Sequence, residues 1–176
     1  EERLRAGEDL FGIGFDYRKT FDRLPSGLLL ELADMLGMPS NVLSGLRAMY
    51  SSLQRRFKTG GSVGRPFAST NGIMQGCPLS VALVNLLTNI WMLAVEEEVP
   101  DCRAVGYADD INATTKHPAA IGHATDLTEE FSGLTGQQLH TEKTFCWALT
   151  EDGRRSLRGL QHADGTPIKE VEQTQL

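Results

Sequence analysis

Two adjacent aspartates, Asp109 and Asp110, separate two apolar runs within residues 102–115. Apolar runs around a short polar step are typical of a β-hairpin, so the pair is expected at a strand junction. Neighbouring carboxylates repel each other and lose water when the hairpin packs, which a structure tolerates when a divalent cation lies between them. A solvated acidic turn is the alternative for an Asp-Asp pair considered alone.

The remaining segments alternate between helix and strand patterns. The apolar run of residues 10–15 predicts a buried strand that ends near Asp16. Helices are predicted over residues 26–36, 39–50, 78–98 and 118–134. Further strands are predicted over residues 54–59, 63–69 and 145–149, with a second hairpin over residues 157–168. Helices between the early strands and consecutive strands near the end indicate an α+β fold with a mainly antiparallel sheet packed on helices.

Composition excludes several classes of protein. The chain has 176 residues, 40% apolar and 23% charged, which are ordinary values for one globular domain. The longest apolar candidate, Val81 to Val95, is interrupted by polar residues, so no membrane contact is expected. The first residues, Glu1-Glu2-Arg3, do not form a signal peptide, and the three cysteines lack CxxC spacing. We therefore expect an intracellular protein, nuclear or cytoplasmic and not secreted.

Charge is distributed unevenly along the chain. The formal net charge is 17 − 23 = −6, yet residues 35–95 contain no acidic residue. The same stretch holds five cations: Arg47, Arg55, Arg56, Lys58 and Arg65. The other residues carry 12 − 23 = −11. A cationic segment inside an acidic chain favours contact with a polyanion, although a helix and a loop that are basic by chance would give the same count.

Three other segments carry groups suited to chemistry near phosphates. If the first strand lies beside the acidic hairpin, Asp16 and Asp109 share one pair of hard cations, an arrangement suited to nucleotidyl transfer. Gln75 and Gly76 precede a helix that begins at Pro78, and a glycine-rich turn there allows close approach to a phosphate or base. Lys143 at a strand start is placed to meet a phosphate. Each feature alone also fits a turn, a loop-to-helix junction or a surface charge.

In this order, the four segments resemble motifs A to D of reverse transcriptases, most closely those of non-LTR (LINE-type) retrotransposons. Residues 15–22 (FDYRKTFD) resemble motif A, residues 75–80 (QGCPLS) motif B, residues 107–110 (YADD) motif C and residues 136–144 motif D. The resemblance implies an RNA-directed DNA polymerase with a palm fold and part of the fingers. The departures are Val81 for the usual Pro, His140 for the usual Asn and Thr20 for the usual Ala.

The resemblance also implies roles for individual residues. Asp16, Asp109 and Asp110 would be catalytic and would bind two Mg²⁺ ions, with Mn²⁺ as the alternative. The residues implied to contact nucleotide, template or primer are Tyr17, Phe21, Gln75, Gly76, Tyr107 and Lys143. Among these, Phe21 would be the aromatic gate that excludes a 2′-hydroxyl on the incoming nucleotide.

By the same resemblance, residues 1–25 belong to the palm, 26–74 to a fingers-like insertion and 75–150 to the palm. Residues 151–176 would begin the hairpin that leads to an absent thumb. The implied partners are an RNA template, a DNA primer, deoxynucleoside triphosphates, and the remaining fingers and thumb of a parent polyprotein.

Two other functions retain the same fold. An RNA-dependent RNA polymerase usually carries Gly-Asp-Asp and no aromatic gate, so Tyr107-Ala108 and Phe21 argue against it. A non-catalytic relic would bind nucleic acid without turnover. Group II intron and telomerase-type enzymes usually differ from residues 75–80, which ranks them lower within the family.

Overall fold

The computed structural model describes residues 9–171. In chain order its elements are β1 (Phe11–Phe15), α1 (Thr20–Arg23), α2 (Ser26–Met35), α3 (Ser40–Ser51), β2 (Gln54–Arg55), β3 (Lys58–Thr59), β4 (Ser62–Val63), β5 (Phe67–Ala68), α4 (Pro78–Glu98), β6 (Arg103–Tyr107), β7 (Asp110–Thr115), α5 (Pro118–Thr135), β8 (Phe145–Ala148), α6 (Glu151–Ser156) and β9 (Lys169–Glu170). The predicted α+β class is confirmed.

A five-stranded sheet forms the centre of the fold, with strand order β6-β7-β1-β8-β9. The pairings of β1 with β7 and β8, and of β6 with β7, are antiparallel, whereas β8 and β9 are parallel. The acidic hairpin is therefore β6–β7, and its second strand lies directly beside β1, with Phe15 opposite Ile111. This pairing brings the end of β1 to the same edge as the hairpin turn.

The sequence of β1 assigns its two faces. Its aromatic and aliphatic residues are all buried in the core cluster that α4 and α5 help to form. The alternating Gly12 and Gly14 point to the opposite face, because successive residues of a strand face opposite ways. A Cβ at Gly12 would overlap the Trp147 ring, and one at Gly14 would lie 2.7 Å from Phe145 Cζ. The two glycines thus let aromatic rings from β8 cross β1 on the side away from the helices.

Helix α4 connects two hydrophobic clusters. Leu83 and Leu87 belong to the cluster built with α2 and α3, whereas Trp91 and Val95 belong to the cluster under the sheet. By length and composition α4 is also sufficient to cross a membrane, although the sequence suggested no such segment. The core helix of a globular domain meets the same criterion, and both ends of α4 bury apolar side chains in this fold. The absence of membrane contact stays a prediction.

Several element boundaries follow the sequence and others do not. The helix predicted over residues 78–98 is confirmed without change, and Gly136, in the left-handed region at φ 72°, ends α5. The predicted strands at 54–59 and 63–69 form a hairpin broken into two short pairs, β2–β5 and β3–β4. This element, residues 54–68, is called the basic hairpin below.

Residues 151–156 form α6, a short helix that the sequence did not predict ahead of the hairpin at residues 157–168. The Thr150 side chain accepts a hydrogen bond from the Gly153 amide at 2.9 Å and so caps this helix. Pairing within the predicted hairpin of residues 157–168 is limited to an isolated antiparallel bridge between Gln161 and Pro167, beside which the Ile168 amide donates to the Leu160 carbonyl at 3.0 Å. Residues 172–176 of the predicted segment lie outside the described residues. The assignment of residues 151–176 to a hairpin that leads to a thumb stays a prediction.

Candidate active site

A cavity of about 420 Å³ opens at the edge of the sheet where β1 ends and the β6–β7 turn begins. It is lined by Gly14, Phe15, Asp16, Asp109, Asp110, Lys143 and Phe145. The predicted proximity of Asp16 to the acidic pair is therefore present in the fold. Four of the residues that the sequence selected meet in this one cavity, and they are the three aspartates and the motif D lysine.

The backbone beyond β1 holds Asp16 in place. The Asp16 carbonyl accepts a hydrogen bond from the His140 amide at 2.7 Å, and the Arg18 amide donates to the Gln138 carbonyl at 2.8 Å. This short antiparallel pairing joins the motif A segment to the motif D segment. It also places Lys143 Nζ 3.3 Å from Asp16 Oδ2. The lysine is therefore a fixed neighbour of the carboxylate rather than a remote surface charge.

The turn that carries the acidic pair is held from below by α4. Ala108 has a φ of +54°, a left-handed conformation that costs a non-glycine residue about 1–3 kcal/mol. Its amide donates to Asn85 Oδ1 at 2.7 Å, and its carbonyl accepts from Thr88 Oγ1 at 2.7 Å. Both backbone groups of the strained residue are thus bound to side chains of one rigid helix, which fixes the position of Asp109.

In the sequence, Asn85 and Thr88 were noted only as interruptions of an apolar run. The available signal was their spacing, because residues three apart lie on the same face of a helix. Two polar residues on an otherwise buried face require polar partners. The partner here is the backbone of the hairpin turn, which no pattern in residues 78–98 specifies.

Each member of the acidic pair has a separate polar partner. Thr20 Oγ1 lies 3.5 Å from Asp109 Oδ2, and Asn112 Nδ2 donates to Asp110 Oδ1 at 3.2 Å. Thr20 stands where the family usually has Ala, so this contact is a consequence of that departure. Because each carboxylate contacts a different polar side chain, the two contacts limit the mutual repulsion of the neighbouring carboxylates.

The cavity suits a divalent cation by charge, although the residues that the structure describes contain no ready-made cage of three acidic, His or Cys side chains. Three carboxylates and one ammonium line it, which gives −3 + 1 = −2. Asp16 Oδ2 is buried and accepts no hydrogen bond from the described residues. The charged partner of this oxygen is the ammonium of Lys143, 3.3 Å away on an exposed side chain, and a hard cation can take the place of that ammonium.

The other predicted contact residues lie outside this cavity. The Tyr17 ring is buried in the core with Ser132 Oγ 3.2 Å from its hydroxyl, and burial raises the pKa of Tyr17 to about 12. Phe21 is half-buried against the cluster of α2 and α3. Tyr107 is exposed at the end of β6, opposite Asp110. Their contacts with nucleotide or primer stay predictions, and the Tyr17 side chain faces away from the cavity.

The motif B segment lies near the root of the basic hairpin. Gln75 Nε2 donates to Asp22 Oδ2 at 3.4 Å, and Asp22 Oδ1 also pairs with Arg55 Nη1 at 3.4 Å. Gly76 has a φ of +80°, which favours glycine at this turn. The two residues are exposed and lie ahead of α4, where their predicted contacts with nucleotide and template stay open.

A second cleft, of about 650 Å³, adjoins the cavity and shares Lys143 with it. Its lining also includes Arg18, Lys19 and Arg23, opposed by Glu142. No sequence pattern indicated a role for these three cations. They are exposed, and no salt bridge of theirs occurs within residues 9–171. The cleft is therefore an anion-attracting surface directly beside the carboxylates.

Comparison with known proteins gives a consistent assignment. The sequence model of the family described as "Reverse transcriptase (RNA-dependent DNA polymerase)" matches residues 4–165. A Xenopus laevis protein, "Transposon TX1 uncharacterized 149 kDa protein", is 25% identical over 149 residues, which are 80% of this chain and 11% of that protein. The chain thus spans about a tenth of the curated relative that it matches.

Solved structures with the same fold include two yeast telomerases. Apo telomerase from Candida tropicalis matches with a TM-score of 0.65 and 16% identity, over 82% of this chain and 30% of that chain. Telomerase from Candida albicans, in complex with a fragment of telomeric RNA, matches with a TM-score of 0.64 and 16% identity, over 85% and 28%. At this identity the likeness concerns the fold alone.

Proposed function

The chain belongs to the reverse transcriptase family, and from that premise we propose that it is the catalytic centre of an RNA-directed DNA polymerase from a non-LTR retrotransposon polyprotein. The observation that supports this most directly is the single cavity lined by Asp16, Asp109 and Asp110. These carboxylates come from two separate segments of the chain. A merely solvated acidic turn would not require the third one, from the end of β1, to face the same cavity.

Polymerases of this family generally use divalent metal ions. We propose that the three aspartates hold two Mg²⁺ ions, with Mn²⁺ as a substitute. When bound, such ions activate the primer 3′-hydroxyl and stabilise the charge on the leaving oxygen. Lys143 now neutralises the buried oxygen of Asp16 at 3.3 Å, so a cation that binds there competes with the lysine.

Other residues of this chain would position the substrates. The Ala108 turn, bound to Asn85 and Thr88, keeps Asp109 fixed while the primer end approaches. A rigid carboxylate supports catalysis because little reorganisation is then needed in the transition state. The exposed ring of Tyr107, next to the acidic pair, is our proposed contact for the primer end.

The incoming deoxynucleoside triphosphate would use the cationic cleft. Arg18, Lys19 and Arg23 line it, and Lys143 joins it to the carboxylate cavity. Guanidinium and ammonium groups suit a polyphosphate by charge and hydrogen-bonding capacity. For Phe21 the proposed role as a gate rests on the family resemblance, and its half-buried ring is held in place by the cluster behind it.

A primer-extension assay tests the function, with an RNA template, a DNA primer, deoxynucleotides and Mg²⁺, on a longer chain that includes fingers and thumb. Asp109→Asn and Asp110→Asn should each lower the extension rate by about 10³-fold, because a neutral amide is a poor ligand for a hard cation. Asp152→Asn is the matched control, since that side chain is 91% exposed and outside the cavity.

Three outcomes would count against the proposal. Unchanged extension in the Asp109 and Asp110 variants would exclude the cavity as the active site. A preference for ribonucleotides would indicate an RNA-dependent RNA polymerase instead. Binding of template and primer with no extension by the unmodified longer chain would favour the non-catalytic relic.

A further inference from the structure

The basic hairpin, residues 54–68, carries an exposed aromatic stack. The rings of Phe57 and Phe67 lie with centroids 5.0 Å apart and planes at 23°. The two residues are 73% and 40% exposed, and neither belongs to the two core clusters. A pair of large apolar rings held at the surface by each other contributes little to the core. Exposed aromatic groups of this kind are typical of contact surfaces.

Cations lie close in sequence to both phenylalanines on the hairpin, and the hairpin contains no acidic residue. Arg56, Lys58 and Arg65 are exposed, and no salt bridge of theirs occurs among the residues that the structure describes. The sequence has no acidic residue between positions 35 and 95. Such a surface repels other cationic surfaces and attracts a polyanion. Aromatic rings set among cations are the combination that binds single-stranded nucleic acid, by base stacking and phosphate contact.

The root of the hairpin is tied to the segments around the active site. Arg55 pairs with Asp22, the last residue of motif A, and Asp22 also accepts a hydrogen bond from Gln75 of motif B. A cavity of about 420 Å³ lies at this junction, lined by Asp22, Leu53, Arg55, Ile73, Met74 and Gln75. The aromatic stack is therefore presented by an element whose base is bonded to residues next to the carboxylate cavity.

We propose that the basic hairpin binds the single-stranded RNA template ahead of the point of synthesis. Phe57 and Phe67 would stack on unpaired bases, and Arg56, Lys58 and Arg65 would contact phosphates. The identification of the strand as the template rests on the proposed function. In template-directed synthesis the copied strand is unpaired only ahead of the site, whereas bases behind it are paired and stacked within a duplex. Exposed rings can therefore stack on bases only on the incoming side.

The first test is binding without turnover. The whole 176-residue chain is titrated against a fluorescent single-stranded RNA and against an RNA duplex, with fluorescence anisotropy as the readout. Phe57→Ala and Phe67→Ala should each weaken single-strand binding about 5- to 150-fold and leave duplex binding nearly unchanged. Met35→Ala, an equally exposed apolar residue on α2, is the control that should leave both affinities unchanged.

Two further variants separate stacking from packing. Phe57→Trp should keep or tighten single-strand binding, whereas Phe57→Leu should weaken it, because leucine retains apolar volume without a π face. The triple change Arg56→Gln, Lys58→Gln and Arg65→Gln should reduce the slope of log affinity against log salt by about 2, at about 0.7 per lost phosphate contact. Circular dichroism checks that each variant is folded.

The second test uses the longer chain in primer extension, with templates that leave either one or ten unpaired nucleotides ahead of the primer. Phe57→Ala should slow extension on the long overhang only. If the unmodified chain binds single-stranded RNA through the rings but never extends a primer, the proposed function fails while the binding surface stands. If it extends normally and the rings do not matter on either template, the hairpin inference fails alone.

Other results would also overturn the inference. Equal loss of single-strand and duplex affinity in the phenylalanine variants would indicate non-specific charge attraction. A clear preference for single-stranded DNA of the same sequence would contradict a template role. Loss of a dimer in sedimentation for Phe57→Ala, with RNA affinity unchanged, would mean that a second copy of the chain covers the rings.

Discussion

The carboxylate-bearing sheet and the basic hairpin differ in how firmly the rest of the fold holds them. In the sheet, five strands are backed by α4 and α5, and the turn at Ala108 is bound at both backbone groups. In the hairpin, no strand exceeds two residues and nearly every side chain is exposed. The difference fits the two proposed roles, because catalysis would need oxygen atoms in fixed positions whereas a template of varying sequence would need an adaptable surface.

Backbone conformation shows the same contrast. The left-handed residue at the sheet turn is Ala108, whose strain the surrounding hydrogen bonds maintain. The hairpin turn has Gly60 and Gly61 at φ 56° and 84°, where glycine adopts the conformation without steric cost. The first region holds a strained residue in one geometry, whereas the second region turns at residues that carry no such strain.

The largest expected difference between the regions is in stability. Trp91 is buried under the sheet, its ring N–H 3.0 Å from Thr128 Oγ1. Trp91→Ala should lower the free energy of unfolding by about 3–5 kcal/mol, because it leaves a cavity and removes the donor to Thr128 Oγ1. Phe57→Ala should cost about 1 kcal/mol or less. Urea unfolding measures both, and similar costs would mean that the hairpin is part of the cooperative core.

The next largest expected effect concerns the hydrogen bonds that support the acidic turn. Asn85→Ala removes the acceptor for the Ala108 amide and should cost about 1–3 kcal/mol of stability. It should also lower the maximal extension rate without changing template affinity, because Asp109 is no longer held in one position. Asn89→Ala, at an exposed position of the same helix, is the control. A variant that loses stability but keeps its maximal rate would show that the clamp is structural only.

The sequence predicted the sheet better than its supports. Local patterns were sufficient for β1, α4 and the acidic hairpin, because apolar runs and turn residues there agree with the final fold. Joint occurrence of the four motifs placed Asp16 and Lys143 near the acidic pair. The bonds from Asn85 and Thr88 to Ala108 join positions about twenty residues apart, and no local pattern specifies such a pair.

The positive charge of the basic hairpin was predictable from the sequence, whereas its strand pairing and its aromatic stack were not. Residues 54–69 suggested two strands around a glycine turn, and the structure divides them into short pairs. Phe67 lies opposite Arg55, two residues before Phe57 on the other strand, and the two rings stack across this pairing. Helix α6 was missed for a different reason, because its capping threonine, acidic first turn and basic last turn span only seven residues.

A smaller effect concerns alkaline pH and tests whether the sheet region is as closely packed as its burial indicates. The folded pKa of Tyr17, about 12, lies above its ordinary value of 10.0. The resulting stability is fully present below pH 10 and is lost as the pH rises through 12. From these values the loss at pH 11 is about 1.4 kcal/mol. Tyr17→Phe should lack this share of the alkaline decline, whereas Tyr107→Phe, with an exposed ring, should retain it.

Urea unfolding at pH 8, 10 and 11 supplies the comparison for the tyrosine variants. Burial also raises the pKa of Cys146 to about 11, so all variants are compared with the unmodified chain at the same pH. If the free energy of unfolding fell equally with pH in Tyr17→Phe and in the unmodified chain, the Tyr17 phenol would be exposed to solvent. The core under the sheet would then be more accessible to water than its contrast with the exposed basic hairpin requires.

The smallest expected effect is at the junction of the two regions. Arg55 Nη1 of the hairpin lies 3.4 Å from Oδ1 of Asp22, the last residue of motif A, and the two side chains are 30% and 42% exposed. A double-mutant cycle with Arg55→Gln and Asp22→Asn should give a coupling free energy of about 0.2–1 kcal/mol in urea unfolding. A pair this exposed cannot hold the hairpin rigidly. It can keep the hairpin near Gln75, which also donates a hydrogen bond to Asp22.

We therefore expect the same double-mutant cycle to show stronger coupling in affinity for a template with a long overhang than in stability. Equal coupling in both measurements would mean that the junction is ordinary surface pairing and that the hairpin and the catalytic sheet act independently.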